Sequence, residues 1–239
     1  MGQDRTAVVT GAASGIGLAT ARRLAAQGWS LALADLDAGA IKEAVDFPLG
    51  GHVVRAVDIA DPDAVTEFFA QVDGELPPVR AVANVAGLTL ATDGTVEDVS
   101  LADFDRVIGV NLRGTFLMCR AAIPALRAAG GGAIVNVGSL ASVLGTGGAA
   151  YVSSKHAIAG LSRQIAYRYA KESIRCTVVA PGPTATPMVD IARSKGAVPQ
   201  VSPGVIPRDT TADEVASLIA YLLSDDAAMI TGSIHVVDG

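Results

Sequence analysis

Tyr151 and Lys155 stand four residues apart in a stretch whose apolar spacing predicts a helix over 149–171. Four-residue spacing places two helical side chains on the same face. An ordinary phenol has a pKa near ~10, and it exchanges protons more readily when a neighbouring cation favours the phenolate. The pair therefore predicts acid–base chemistry, with Lys155 lowering the pKa of Tyr151, although such pairs also occur in ordinary surface packing.

A glycine-rich segment, Thr10-Gly11-Ala12-Ala13-Ser14-Gly15-Ile16-Gly17, joins a predicted strand to a predicted helix. Glycines allow the backbone to approach a pyrophosphate, and the amides and dipole at the start of the helix hold its negative charge. The segment therefore indicates a dinucleotide site. The simpler alternative is a tight strand–helix turn without a ligand.

Asp35 ends the next predicted strand, twenty residues after Gly15. A carboxylate there can accept hydrogen bonds from an adenosine ribose, and it would repel a 2′-phosphate. The nearby Ser14, Leu36 and Asp37 supply no cation for such a phosphate. These residues favour NAD over NADP, unless Asp35 only caps the following helix.

The elements that must position these groups follow a regular alternation. Short apolar segments predict seven strands, over 6–10, 30–34, 53–57, 79–84, 133–137, 175–179 and 233–237. Amphipathic segments predict helices over 15–27, 38–46, 62–73, 101–128, 149–171 and 213–224. The alternation predicts a single α/β domain over 1–239, with a doubly wound Rossmann-type parallel sheet and helices on both faces.

A proline-rich stretch over 181–211 interrupts this alternation. Long irregular segments in compact domains are commonly functional loops, and this one follows the carboxyl end of a strand, where open α/β sheets bind ligands. We therefore expect a substrate loop or lid over about 183–211.

Composition restricts the class of partner. The 239 residues carry a formal net charge of −6, which disfavours nucleic acid as a partner. No apolar run reaches the ~18 residues of a membrane span. Cys119 and Cys176 are expected to be small buried hydrophobic residues with free thiols, which suits a cytoplasmic location. The three histidines show no metal-ligand spacing, so no metal is expected.

The motifs together resemble the short-chain dehydrogenase/reductase family. The glycine-rich segment is similar to its cofactor motif, and Asn84-Val85-Ala86-Gly87 resembles its N-N-A-G, with Val85 replacing the second asparagine. The Tyr151–Lys155 segment matches Y-x-x-x-K, and Pro181-Gly182 with Thr186 resembles P-G…T. The motifs occur in the order typical of the family and span nearly the whole chain.

This resemblance implies roles for individual residues. It implies a catalytic set in which Ser139 binds the substrate oxygen and Asn111 binds a water near Lys155: Ser139, Tyr151, Lys155 and Asn111. It also implies a cofactor-binding set: Gly11, Ser14, Gly15, Ile16, Gly17, Asp35, Leu36, Asp58, Ile59, Asn84, Ala86, Gly87, Tyr151, Lys155, Pro181, Gly182, Thr184, Thr186 and Met188.

Besides Asp35, three of these assignments have alternatives. Ser142 is a second candidate for the substrate-binding serine, because Gly138 stands where the family often has serine and the interval from Ser139 to Tyr151 is one residue shorter than usual. Asp58 could simply begin a loop. Asn84 could simply fix the backbone at the end of its strand.

The resemblance further implies an NAD(H)-dependent oxidoreductase that interconverts a secondary alcohol and a ketone. It implies a strand order of 3-2-1-4-5-6-7 and a homo-oligomer, either tetramer or dimer. Two alternatives stay open. One is a non-catalytic NAD-binding scaffold or sensor with this fold. The other is a 3-oxoacyl-thioester reductase, although such enzymes usually prefer NADPH and a basic docking face.

Overall fold

The computed structural model describes residues 4–194 and 208–239. Seven parallel strands form the main sheet in the order β3-β2-β1-β4-β5-β6-β9, which confirms the expected fold and strand order. The seven strands are β1 Thr6–Thr10, β2 Ser30–Asp35, β3 Val53–Ala56, β4 Val79–Asn84, β5 Gly132–Val137, β6 Ile174–Pro181 and β9 Ile234–Val237. Two further strands, β7 Thr184–Ala185 and β8 Thr210–Thr211, pair with each other outside this sheet.

Helices cover both faces of the sheet. They are α1 Gly15–Ala26, α2 Ala38–Ala44, α3 Pro62–Glu75, α4 Leu101–Ile108, α5 Thr115–Ala128, α6 Ala149–Arg168, α7 Pro187–Ser194 and α8 Ala212–Leu223. On one face, side chains of α3, α5 and α6 pack against residues such as Val82 and Ile134. On the other, side chains of α1, α2 and α8 pack against Leu31 and Leu33. Each such buried aliphatic side chain contributes about 1.5–3 kcal/mol of transfer free energy. None of the helices in the two described ranges is long and apolar enough to span a membrane.

The helix expected over 101–128 is divided in the structure. α4 and α5 are joined by a π-helical segment, Gly109–Gly114, with the backbone helical throughout. Gly114 fits tightly there, since a Cβ on it would lie 2.8 Å from Cδ1 of Ile59. Apolar periodicity does not reveal a π segment, because one inserted residue shifts the register without breaking the helix.

The stretch expected to be irregular over 183–211 contains regular structure. β7 and α7 occupy its first part, and β8 occupies its end. Arg193 of α7 forms a bidentate ion pair with Asp209, which directly precedes β8. Proline opens α7 at its first position, where a missing N–H costs nothing, so proline content alone was a poor indicator of irregular backbone here. Residues 195–207 of the expected lid lie outside the described residues.

Candidate active site

A cleft of about 570 Å³ opens at the carboxyl ends of the strands. The turns after β1, β2, β4, β5 and β6 all reach it, because parallel strands end at the same edge of the sheet. Its lining includes most of the predicted set, namely Gly11, Ser14, Gly15, Ile16, Gly17, Asp35, Leu36, Asp58, Ile59, Ala86, Gly87, Ser139, Tyr151, Lys155, Pro181, Gly182, Thr184, Thr186 and Met188. Asn84 and Asn111 do not belong to that lining.

The glycine-rich turn is built for close backbone approach. Gly11 and Gly15 have positive φ angles of 67° and 52°, a conformation that side chains disfavour. A Cβ on Gly17 would lie only 1.9 Å from the carbonyl oxygen of Gly11, so α1 and the turn can pack this closely only with glycine. Ser14 at the start of α1 makes no side-chain cap, and the first turn carries no acidic residue. The positive end of α1 is therefore suited to an anion such as a pyrophosphate.

Asp35 ends β2 with its carboxylate held by backbone amides. One oxygen accepts from the N–H of Ala13 at 3.0 Å, and the other accepts from the N–H of Leu36 at 2.8 Å. The cap of α2 is Asp37, which accepts from two amides of that helix. Asp35 is thus not the helix cap that was the alternative interpretation, and each of its oxygens has a further lone pair for a ribose hydroxyl.

The loop after β6 closes over the glycine-rich turn. A Cβ on Gly15 would lie 3.1 Å from a methyl group of Thr186. Thr186 donates to the carbonyl oxygen of Thr184, which itself donates to that of Gly182. This chain of short-range bonds fixes the loop as one wall of the cleft.

Asn84 lies beneath the cleft and is almost fully buried. Its amide nitrogen donates to Oδ1 of Asn136 at 2.8 Å and contacts Sγ of Cys119 at 3.3 Å. The structure therefore places its side chain in the interior, where it ties β4 to β5. This position of the side chain agrees with the alternative, strand-fixing role, and Asn84 does not belong to the lining of the cleft.

The two cysteines belong to the same interior network. Both are free and buried, as expected from the sequence. Burial raises the pKa of the Cys119 thiol to about 12, so the thiol stays protonated at physiological pH. Neither side chain belongs to the lining of the cleft.

Tyr151 and Lys155 occupy the first two turns of α6. Nζ of Lys155 lies 5.6 Å from the centroid of the Tyr151 ring and donates to the carbonyl oxygen of Val137 at 2.9 Å. Lys155 is only 5% exposed, and burial lowers its pKa from 10.5 to about 8. Because the ammonium group is charged below that value, it can act on the phenol at neutral pH.

The pKa of Tyr151 moves opposite to the expected direction. Burial raises the pKa of its phenol above the ordinary value, and a hydrogen bond with the Ser139 side chain offsets part of that rise. The sequence predicted that Lys155 lowers the pKa of Tyr151, but in the protein without cofactor this pKa is raised. Burial penalises the phenolate more than the surrounding groups favour it.

Ser139 and Ser142 have different surroundings. Ser139 lines the cleft, bonds to Tyr151 and accepts from the N–H of Ala141 at 3.2 Å. Ser142 is buried, and its hydroxyl accepts from the N–H of Ser139 at 3.2 Å. A Cβ on Gly138 would lie 2.5 Å from that hydroxyl, so Ser142 fills the space that a serine at 138 would need. The geometry favours Ser139 as the group that meets a substrate.

Asn111 sits in the π-helical segment behind the cleft wall. Its side chain bonds to both backbone groups of Leu88, at 2.8 and 2.9 Å, and to the hydroxyl of Ser154 at 3.2 Å. A Cβ on Gly87 would lie 3.2 Å from Oδ1 of Asn111 and 3.5 Å from Nζ of Lys155. Asn111 therefore holds the backbone that passes in front of Lys155.

Some lining residues were not predicted. They are Ala34, Val57, Val85, Leu88, Arg106, Val110, Val137, Gly138 and Pro187. Most of them are adjacent in the chain to a predicted residue, so the positions flanking each motif could have identified them from the sequence. Arg106 had no such signal, since the nearest predicted residue, Asn111, lies five positions further along the chain.

Comparison with known proteins agrees with this architecture. A family model described as enoyl-(acyl carrier protein) reductase matches residues 11–239. Cyclohexanol dehydrogenase of Acinetobacter sp. (strain SE19) is 38% identical over 243 residues, which cover 99% of this chain and 94% of that protein.

Two solved structures share the fold over almost their whole length. Levodione reductase superposes with a TM-score of 0.90 at 31% identity, covering 100% of this chain and 98% of the other. A short-chain dehydrogenase from Mycobacterium paratuberculosis bound to NAD gives a TM-score of 0.89 at 27% identity, with 99% and 97% covered. With the cleft and its Tyr–Lys pair, these matches show that the chain belongs to the short-chain dehydrogenase/reductase family and is an oxidoreductase that interconverts an alcohol and a carbonyl compound.

Proposed function

We propose that the protein transfers a hydride between NAD(H) and a secondary alcohol or ketone, with Tyr151 as the acid–base group. The observation that carries this proposal is the common wall formed by Tyr151, Ser139 and Lys155 in the cleft that also contains the glycine-rich turn. An acid–base group, a hydroxyl donor and a cation thus lie beside a cradle for a dinucleotide.

The residues of the turn fit a dinucleotide. The positive-φ glycines and the uncapped start of α1 suit a pyrophosphate, and Asp35 suits a ribose diol. The nicotinamide, when bound, supplies or accepts the hydride. In the direction of reduction, the substrate oxygen gains negative charge, Ser139 donates a hydrogen bond to it, and Tyr151 gives up its phenolic proton to it. In the direction of oxidation, the phenolate of Tyr151 takes the hydroxyl proton.

NAD is favoured over NADP by the groups around Asp35. A fixed carboxylate would repel a 2′-phosphate. The flanking residues Leu36, Asp37 and Ser14 include no cation that could bind one.

The substrate is proposed to be uncharged. The charged side chains in the described lining are Asp35, Asp58, Arg106 and Lys155. The first two belong to the predicted adenosine contacts, and Lys155 is bonded to Val137. Arg106 lies on α4, four residues before Val110, which also lines the cleft. The remaining wall carries apolar residues, namely Leu88, Met188 and Val189. The names of the relatives agree on a secondary alcohol but not on its charge, since cyclohexanol is uncharged whereas cis-4-hydroxycyclohexanecarboxylate is an anion.

A cytoplasmic location and a homo-oligomer, tetramer or dimer, complete the proposal. Free buried thiols suit a reducing compartment. Large apolar side chains on the surface, among them Leu101, Tyr167 and Met229, suit contacts between subunits.

The test is an NAD⁺-coupled screen of uncharged secondary alcohols on wild type and Tyr151→Phe, with NADH affinity measured by titration. We expect turnover by wild type, a loss of about 10²–10⁴-fold in Tyr151→Phe, and NADH affinity retained in both. Equal turnover of the two proteins would contradict the acid–base role. NADH binding without turnover of any alcohol or ketone would instead favour a scaffold or sensor.

A further inference from the structure

We propose that Asp93 is a positioning residue for the reaction, which fixes the first turn of α6 and with it the phenol of Tyr151. The inference rests on the proposed function, in which Tyr151 is the acid–base group. Asp93 lies between β4 and α4, 58 residues before Tyr151 in the chain, and its side chain is only 9% exposed.

The carboxylate of Asp93 binds the backbone of the catalytic turn directly. One oxygen accepts from the N–H of Ala150 at 3.0 Å, and the other accepts from the N–H of Tyr151 at 2.8 Å. The carbonyl oxygen of Gly94 accepts from the N–H of Ala149 at 2.9 Å. The first-turn amides of α6 are thus satisfied by a segment remote in sequence. A negative charge at this end of a helix is also favoured by the helix dipole.

The start of α6 is shaped to admit this carboxylate. Gly148 occupies the cap position and has no side chain with which to cap the helix. A Cβ there would lie 2.2 Å from Cγ of Asp93 and 2.2 Å from its carbonyl oxygen. The side-chain caps of α2, α3, α4 and α8 are each provided by the residue directly before the helix, such as Asp61 on α3. α6, which carries Tyr151, has a glycine there and a cap from the loop after β4.

The backbone of Tyr151 is held on its other side as well. Its carbonyl oxygen accepts from the hydroxyl of Ser154 at 2.7 Å, and that hydroxyl accepts from the amide of Asn111 at 3.2 Å. Asn111 in turn binds both backbone groups of Leu88. The segment from Leu88 to Gly94 therefore connects to Tyr151 at both its N–H and its C=O. Displacement of this segment would move the phenol relative to Ser139, and a misplacement of about 1 Å can cost about 10²-fold in rate.

The test compares Asp93→Asn with Asp61→Asn. Asparagine removes the charge and one of the two acceptors while keeping the size of the side chain. Asp61 is a matched control, because its carboxylate also accepts from two first-turn amides, at 2.9 and 3.3 Å, but the helix that it caps, α3, carries none of the residues that line the cleft. We expect both variants to lose thermal stability. Only Asp93→Asn should lose kcat, by about 10²-fold, with the KM for the alcohol and the Kd for NADH within about twofold of wild type.

Gly148→Ala is a second, independent variant, which displaces the Asp93 carboxylate without changing it. Gly148→Ala should reproduce the loss of kcat at unchanged NADH affinity. If Asp93→Asn does not fold, the kcat of Gly148→Ala tests the role of Asp93. The proposal is overturned if kcat of the folded variant stays within about twofold of wild type, or if NADH affinity falls as much as kcat. If Tyr151→Phe keeps its turnover, the proposed function itself fails. If Tyr151→Phe is inactive while Asp93→Asn is fully active, only the role of Asp93 fails.

Discussion

The cleft has two ends, which we call the cofactor end, around the glycine-rich turn, and the chemical end, around Tyr151 and Lys155. They differ in whether backbone or side-chain groups line them. The cofactor end consists mainly of backbone, with positive-φ glycines, the uncapped start of α1 and a carboxylate bonded to two amides. The chemical end consists of the half-buried Tyr151 and the buried Lys155, whose pKa values burial shifts in opposite directions. Backbone geometry tolerates little change in shape, whereas a buried ionisable side chain is sensitive to charge and solvent.

The sharpest test of the backbone end is Gly17→Ala. The new Cβ would lie 1.9 Å from the carbonyl oxygen of Gly11, so the turn must move, at a cost of about 3 kcal/mol, the upper end of the usual range for overpacking. We expect NADH binding to be lost in a titration. Gly74→Ala in α3 is the matched control, since nothing lies within 4 Å of its new Cβ, and its binding should equal that of wild type. Normal binding by Gly17→Ala would show that the turn does not hold the cofactor.

At the chemical end, Ser139→Ala should lower kcat by about 10²-fold, because a donor to the reacting oxygen is lost. Ser142→Ala should have a smaller effect, since its hydroxyl only supports the N–H of Ser139. Steady-state kinetics of the two variants at saturating cofactor measure the difference. A larger loss in Ser142→Ala would reverse the assignment of the substrate-binding serine.

Lys155→Met tests whether the buried charge of Lys155 lowers the free energy of unfolding of the protein. The folded protein lowers the pKa of Lys155 to about 8, against 10.5 for the free side chain, which corresponds to about 3 kcal/mol of cost for the buried charge. Between these two values the unfolded chain binds more protons, so wild-type stability rises with pH there relative to the variant. Below pH 8 the full cost applies, and Lys155→Met should be the more stable protein by at most about 3 kcal/mol.

Urea unfolding without cofactor, from pH 6 to pH 10, measures this difference. The difference in free energy of unfolding between Lys155→Met and wild type should decrease as the pH rises above 8. Lys155→Met should also lose both turnover and NADH affinity. A stability difference that does not change with pH would contradict the buried charge. Unchanged turnover and NADH affinity would make Lys155 a purely structural residue.

The smallest effect is expected at the rim of the cofactor end. Asp35→Ala should reduce the preference for NADH over NADPH by about tenfold, because it removes a ribose acceptor and a repulsive charge. Asp37→Ala should leave that preference unchanged and lose about 1 kcal/mol of stability, since its carboxylate caps α2. The ratio of kcat/KM for the two cofactors measures both variants. An equal ratio in Asp35→Ala and wild type would dismiss the ribose contact.

The strand order within the sheet was implied only by the family resemblance. The sequence by itself determined the order of the helices and strands along the chain and the glycine-rich turn. These features depend on short-range properties, such as apolar runs, helix caps and glycine spacing, which neighbouring residues encode. Most of the predicted site residues reach the cleft for the same reason, since each follows a strand whose carboxyl end the pattern located.

Tertiary structure alone decided which polar side chains face the cleft and how strongly they are perturbed. Asn84 follows the pattern of its motif but points into the interior, the helix over 101–128 contains a π segment, and burial raises the pKa of Tyr151 where its spacing from Lys155 predicted a decrease. The carboxylate that caps α6 comes from Asp93, which no local motif marks. Burial and contacts between remote segments depend on how the whole chain packs, and local spacing does not carry that information.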